Sequence, residues 1–256
     1  MAGWILICYL ASIFASVGVW LRIPDASALR NRISRAWIER VHLILGTRIV
    51  LRGQPPRSPY FVVANHISWI DLPTVYVVCK ARYVVMAELR KFPLIGRLTS
   101  GLNPIYVKRT SGDTERVIGL MVEALRRGED LAMAPEGGPT PGRQVYRFHA
   151  ALLESAVITS TPVHWAAVTF RTPAGWPPAS ERIPFPDPYF PEAAVRFGQQ
   201  LTFVPLHFLA HLARLTSLPH HVCEITFGEA PICASDRITL ATRLENAVRK
   251  AFVPLE

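Results

Sequence analysis

Closely spaced cysteines are missing from this 256-residue chain: Cys8, Cys79, Cys223 and Cys233 form no CxxC and no near pair. That excludes a cysteine-built zinc site and a disulfide framework, and it leaves reduced, buried thiols as the expectation. No GxSxG occurs, so the nucleophile elbow of a serine hydrolase is absent as well. Charged residues are scarce at 18%, against 50% hydrophobic residues, and the excess apolar content calls for lipid or an unusually large core. The net charge of +9 is not read as nucleic-acid binding, because no zinc finger or other recognisable nucleic-acid module is present.

Met1 to Leu21 contains no charged side chain and is long enough to span or deeply enter a bilayer. With no Lys or Arg ahead of the apolar stretch, a signal peptide is disfavoured despite the small residues Ala26-Ser27-Ala28. Eight arginines then follow between Arg22 and Arg57 against only Asp25 and Glu39, a surplus that holds six of the nine net charges. Positive charge beside an apolar segment places the rest of the protein on the cytoplasmic side of the cell inner membrane. Leu29, Ile33, Trp37, Val41 and Ile44 recur at helical spacing, so residues 25 to 46 read as a basic amphipathic helix. Its stripe fits two uses, anionic lipid or packing on the following domain. The expected division is a membrane-anchoring helical part, 1–46, and a catalytic domain, 47–256.

Beyond Gly46, β-rich runs alternate with helical patterns. The strands expected are Thr47 to Arg52, Tyr60 to Ala64, Tyr83 to Ala87, Ile105 to Lys108, Leu131 to Ala134, Val163 to Phe170 and Val222 to Phe227; helices are expected at 71–80, 112–127, 149–156 and 236–252. This is an α/β pattern. Seven prolines between Arg171 and Pro191 argue against regular structure there and for a surface excursion.

The chemistry concentrates after the second strand, in Asn65-His66-Ile67-Ser68-Trp69-Ile70-Asp71. A strand that delivers an imidazole and a carboxylate to one turn can hold a general base beside its orienting acid. His66 would take the proton of an alcohol as its oxygen attacks an acyl carbonyl, with Asp71 fixing the tautomer and stabilising the imidazolium.

Three further segments extend the pattern. Ile105-Tyr106-Val107-Lys108-Arg109-Thr110 follows Glu88 to Gly96; Pro135-Glu136-Gly137 follows an apolar strand; Thr161-Pro162-Val163 is similar to an apolar-Pro-apolar element. In order and spacing, over most of 47–252, these blocks resemble the lysophospholipid acyltransferases, the glycerolipid family that includes 1-acylglycerol-3-phosphate acyltransferase. The resemblance implies a mixed sheet flanked by helices and transfer of a fatty acyl group from acyl-CoA or acyl-carrier protein to a lysolipid hydroxyl at the membrane, with no metal or redox cofactor. It implies that His66 and Asp71 are catalytic and that Glu136 and Gly137 help bind the acceptor. Lys108 and Arg109 are suited to an anionic headgroup or the phosphates of the donor, since ammonium and guanidinium groups make charge-assisted contacts with such oxygens. Backbone amides near 137–138 are the candidate oxyanion donors.

The third block departs from the family's pattern. Where relatives that acylate lysophosphatidic acid continue Glu-Gly-Thr-Arg-Ser, this chain has Glu136-Gly137-Gly138-Pro139-Thr140-Pro141-Gly142-Arg143. Arg143 is the candidate to replace the missing arginine. The most often implied acceptor is 1-acylglycerol-3-phosphate, giving phosphatidic acid; a lyso-ornithine lipid is the rival, and a non-catalytic lipid-binding relative is the rival of another class. His207 and His211, four apart, read as packing rather than metal ligands, and His220-His221 as a loop before a strand.

Overall fold

The computed structural model describes residues 25–91, 99–108, 111–185 and 205–256, with positions 10, 11, 17, 21–23 and 96. Met1 to Leu21, expected to be the anchoring segment, therefore lies almost wholly outside the described residues, and Cys8, Arg109, Pro186, Pro188 and Pro191 lie outside them. Among the described residues, no helix is long and apolar enough to cross a membrane.

Among the described residues, seven strands form one sheet: β1 (Thr47–Arg52), β2 (Phe61–Ala64), β3 (Arg82–Met86), β4 (Ile105–Val107), β5 (Leu131–Met133), β6 (Val163–Arg171) and β7 (His221–Phe227), in the order β1-β7-β6-β2-β5-β3-β4. Every pairing is parallel except β6 with β7. Strands β2 to β6 thus run one way and β1 and β7 the other, which makes the sheet mixed, as the resemblance implies. Helices α1 (Ala26–Ile44), α2 (Asp71–Cys79), α3 (Thr114–Arg126), α4 (Glu154–Thr159), α5 (Ala179–Arg182), α6 (Pro205–Thr216) and α7 (Arg237–Ala251) accompany it.

Strand alternation assigns the two faces of the sheet. Val62, Ala132 and Tyr83 are in register on β2, β5 and β3, and the Tyr83 ring meets Tyr76 of α2, so α2 covers that face. Val63 and Trp165 are in register, and Thr169, four residues on, donates its hydroxyl to Val253 O just beyond α7, so α7 covers the opposite face. Asp236 starts α7 well, its carboxylate accepting from the amides of Ile238 and Thr239.

In α1, Trp37, Ile38, Val41 and Leu45 just beyond it are buried and join the same apolar core as Phe61, Leu131, Phe170 and Ile225. Of the two uses open for this helix, its stripe packs on the protein, while Leu29 and Leu43 stay exposed. The glycine that ends it, Gly46, has φ +72°, and its carbonyl accepts from the His221 amide, which passes the chain directly into the β1–β7 pairing.

The proline-rich stretch differs from expectation. Pro178 precedes α5, where its missing N–H costs nothing, and Ala179 and Ile183 are buried. A short helix therefore forms inside it and enters the core. His221 also departs from its expected loop: it opens β7, fully buried, with Nε2 2.8 Å from Thr47 Oγ1. Of the thiols, Cys79 and Cys223 are free and buried, whereas Cys233 is exposed because it lies in the short link between β7 and α7.

Candidate active site

In parallel α/β sheets, residues just past the carboxyl ends of the strands are displayed for ligands. His66 stands two positions beyond β2, Glu136 three beyond β5, and Lys108 directly after β4, all on one edge of the sheet. β2 and β5 are neighbours, so His66 and Glu136 meet. β4 is three strands from β2, which at strand spacing sets Lys108 about 14 Å away from the histidine's strand. The Lys108 side chain is exposed, and its amide donates to Asp113 Oδ2 at 2.6 Å.

Asn65 makes the turn possible. β2 pairs with β6 as far as Ala64 and Ala166; then the Asn65 side chain takes over, its Nδ2 donating to Val168 O at 2.9 Å and its Oδ1 accepting from Val168 N at 2.7 Å. The amide group imitates a strand neighbour, so the backbone is free to bend immediately before His66.

The bend closes on Asp71, the first residue of α2. One oxygen, Oδ2, accepts from His66 Nδ1 at 2.9 Å, from the Ile67 amide at 2.6 Å and from the Ser68 amide at 3.0 Å. Asp71 is buried, and the His66 side chain is 13% exposed. Because the carboxylate can only accept, Nδ1 is the protonated nitrogen and Nε2 of the neutral ring carries the lone pair. Asp71 Oδ1 and the Ser68 hydroxyl are buried with no hydrogen-bond partner among the described residues.

Glu136 holds the turn from the other side. Only 3% exposed, it accepts from the His66 amide at 2.5 Å and from the Tyr146 amide at 2.7 Å. Burial pushes its carboxyl up to about 8, against the pull of those two amides and with the Asp71 and Glu245 carboxylates adding to the rise. The loop between is tied as well: the Thr140 amide donates to His66 O at 2.8 Å, and the Leu255 amide to Gly142 O at 3.0 Å. Arg143 follows the second of these ties on the same loop and is exposed.

Gly137 has φ +79°, and a Cβ added there would stand 3.1 Å from His149 Cδ2, so a side chain is excluded where the resemblance puts the acceptor. Its own N–H donates to Ala134 O at 3.2 Å within the turn, which removes that amide from the oxyanion candidates.

His66, Asp71, Glu136 and Gly137 are thus brought together, Arg143 borders them, and Lys108 stands apart. Sequence reasoning gave no task to Asn65, Thr140 or Tyr146. For Asn65 a signal existed, an amide side chain at the end of an apolar strand; backbone donors such as those of Thr140 and Tyr146 leave none. His211 is buried and hydrogen-bonded to Trp69 and Ile183, consistent with packing. Among the described residues no cluster of three or more His, Cys, Asp or Glu is arranged for a metal ion.

An imidazole with a carboxylate partner, set at the carboxyl edge of a mixed sheet, has the geometry suited to taking a proton from a bound hydroxyl. The chain belongs to the acyltransferase family. Residues 48–169 match the family model described as Acyltransferase. A lyso-ornithine lipid O-acyltransferase of Pseudomonas aeruginosa is 31% identical over 234 residues, covering 90% of this chain and 83% of that protein. A 1-acyl-sn-glycerol-3-phosphate acyltransferase of Neisseria meningitidis is 25% identical over 252 residues, covering 95% and 90%. The fold is shared with the crystal structure of a 1-acyl-sn-glycerophosphate acyltransferase from Thermotoga maritima, at a TM-score of 0.59 and 20% identity over 96% of this chain and 94% of that one.

Proposed function

We propose that this acyltransferase moves a fatty acyl group from acyl-CoA or acyl-carrier protein to the free hydroxyl of a lysolipid at the cell inner membrane, on its cytoplasmic side. The observation that carries the reading is the His66 Nδ1–Asp71 Oδ2 contact of 2.9 Å, which leaves Nε2 as the base. The acceptor hydroxyl gives its proton to Nε2 while its oxygen bonds to the thioester carbonyl carbon. The tetrahedral adduct then expels the thiolate, which recovers that proton from the imidazolium as the free thiol. The products are an ester and a thiol, and no covalent enzyme intermediate or cofactor is needed.

In this reading Asp71 keeps the proton on Nδ1 and offsets the imidazolium charge, Glu136 and Gly137 shape the acceptor side, and Arg143, Lys108 and Arg109 attract phosphate or carboxylate groups. Residues 1–46 carry the membrane anchor, with α1 packed against the catalytic domain of residues 47–256. For the acceptor, 1-acylglycerol-3-phosphate is the first reading. A lyso-ornithine lipid is the second, favoured by the 31% identical relative and by a third block with no arginine beside Gly137.

Detergent-solubilised full-length protein, assayed with a labelled acyl thioester and each acceptor in turn, tests the reading. Turnover of one acceptor, abolished in His66→Ala, is expected. Absence of turnover with both acceptors, or turnover unchanged in His66→Ala, contradicts it.

A further inference from the structure

Between the two catalytic residues in sequence stands Trp69, whose side chain reaches α6. Its indole Nε1 donates to His211 Nδ1 at 3.0 Å, and His211 Nε2 is 3.1 Å from Ile183 O. An indole N–H can only donate and a carbonyl can only accept, so these two bonds fix His211 as the neutral tautomer protonated on Nε2. The ring is fully buried. Burial pushes it down to about 4, which keeps it neutral across the physiological range.

The connection continues two residues past Ile183. The Phe185 amide donates to Ile67 O at 3.2 Å, directly after His66, and the Phe185 ring lies 4.8 Å from the His211 ring. Phe208 on α6 closes the group, 5.0 Å from Trp69 and 6.4 Å from Phe185 between ring centroids. The turn from His66 to Asp71 is therefore gripped at two points, the Ile67 carbonyl and the Trp69 indole, and both lead to one imidazole on α6.

We infer that His211 is a positioning residue for the transfer reaction: it holds Trp69 and the Ile183–Phe185 segment together, so that the His66 ring keeps its angle to Asp71 and to the incoming hydroxyl. The inference rests on His66 acting as the base. A misplacement of the order of an ångström at a reacting group costs about 10²-fold in rate without requiring any loss of binding. A residue that only filled core space would change stability and leave the rate of the folded protein alone.

The test uses the full-length protein, with Tm measured for every variant. His211→Phe keeps the ring volume and removes both hydrogen bonds; its kcat is expected to fall about 30- to 100-fold, with the KM of acceptor and donor within about twofold of the parent. His211→Gln, which can accept from Trp69 and donate to Ile183 together, is expected to recover most of that loss. Trp69→Phe cuts the same connection from the other end, so the doubly substituted protein should be about as slow as the slower single variant rather than as slow as the product of the two losses. A readout without substrate is the downfield NMR resonance of the proton between His66 and Asp71. It should broaden or shift in His211→Phe and return in His211→Gln. An unchanged kcat or an unmoved resonance in His211→Phe, or losses that multiply in the double variant, overturns the inference. Inactivity of the parent toward every acceptor would instead count against the proposed function, and the resonance would still decide the role of His211.

Discussion

The backbone amide of His66 donates to the side chain of Glu136 at 2.5 Å, joining the loops that follow two adjacent parallel strands. The third sequence block is thus bonded directly to the first, at the residue proposed as the base. Glu136 is 3% exposed and both of its oxygens accept from main-chain amides, so the bonds it makes set the geometry of His66 and Tyr146.

Asp71→Asn replaces an acceptor that serves three donors at one oxygen. Even with the amide oxygen in that place, the charge opposing the imidazolium is lost. The kcat is expected to fall by about 10²- to 10⁴-fold with a smaller change in KM, measured by steady-state kinetics on protein of verified fold.

Asn65→Leu leaves the buried amide and carbonyl of Val168 without the partners they now have. The loss of stability is expected to be about 2–4 kcal/mol, a fall in Tm of roughly 5–15 °C for a chain of this size. Thermal unfolding followed by circular dichroism checks it.

Gly142→Ala places a methyl at φ +71°, 2.6 Å from Leu255 Cδ1 and 3.2 Å from Ile67 Cγ2. The expected cost is about 1–3 kcal/mol, from overpacking and from a backbone conformation unsuited to alanine. Activity should fall with it, because Ile67 adjoins the base; a denaturant midpoint equal to the parent's would contradict this account.

Two opposed pH effects on stability should be separable. Burial pushes His211 and His221 down to about 4, so the unfolded chain holds more protons than the folded one between about pH 4 and 6.5. Their contribution is complete above 6.5 and is lost as pH falls toward 4. Glu136, pushed up to about 8 by burial, works in the other direction: its contribution is complete below about 4.5 and is lost as pH rises through 8. Glu136→Gln should therefore flatten the alkaline decline of Tm while leaving the acid decline in place, as a pH series of melting curves would show.

The sheet was legible because most of its strands are short, largely apolar runs between helical periods: β1 begins and ends where the pattern places it, and most other strand limits differ by a residue. His66 and Asp71 were legible because both lie in one seven-residue turn. Glu136 was legible as a residue, though its partners were not, since the bonds it accepts come from main-chain amides 70 and 10 residues away. The part played by Phe185 was hidden for a related reason. Over residues 172–185 proline density gives correct warning against a long helix or strand, yet it carries no information on what the irregular chain touches.

One pairing described above also bears on how the molecule is made. Thr47 and His221, joined at the β1–β7 seam, are 174 positions apart, so a growing chain emerging from the ribosome carries the first strand long before its neighbour exists. Closing so large a loop delays assembly, and until then a short strand with an open hydrogen-bonding edge is available to wrong partners. Arg48 and Arg52, in register with Val222 and Thr226 on that strand, supply like charges that repel another copy during the wait.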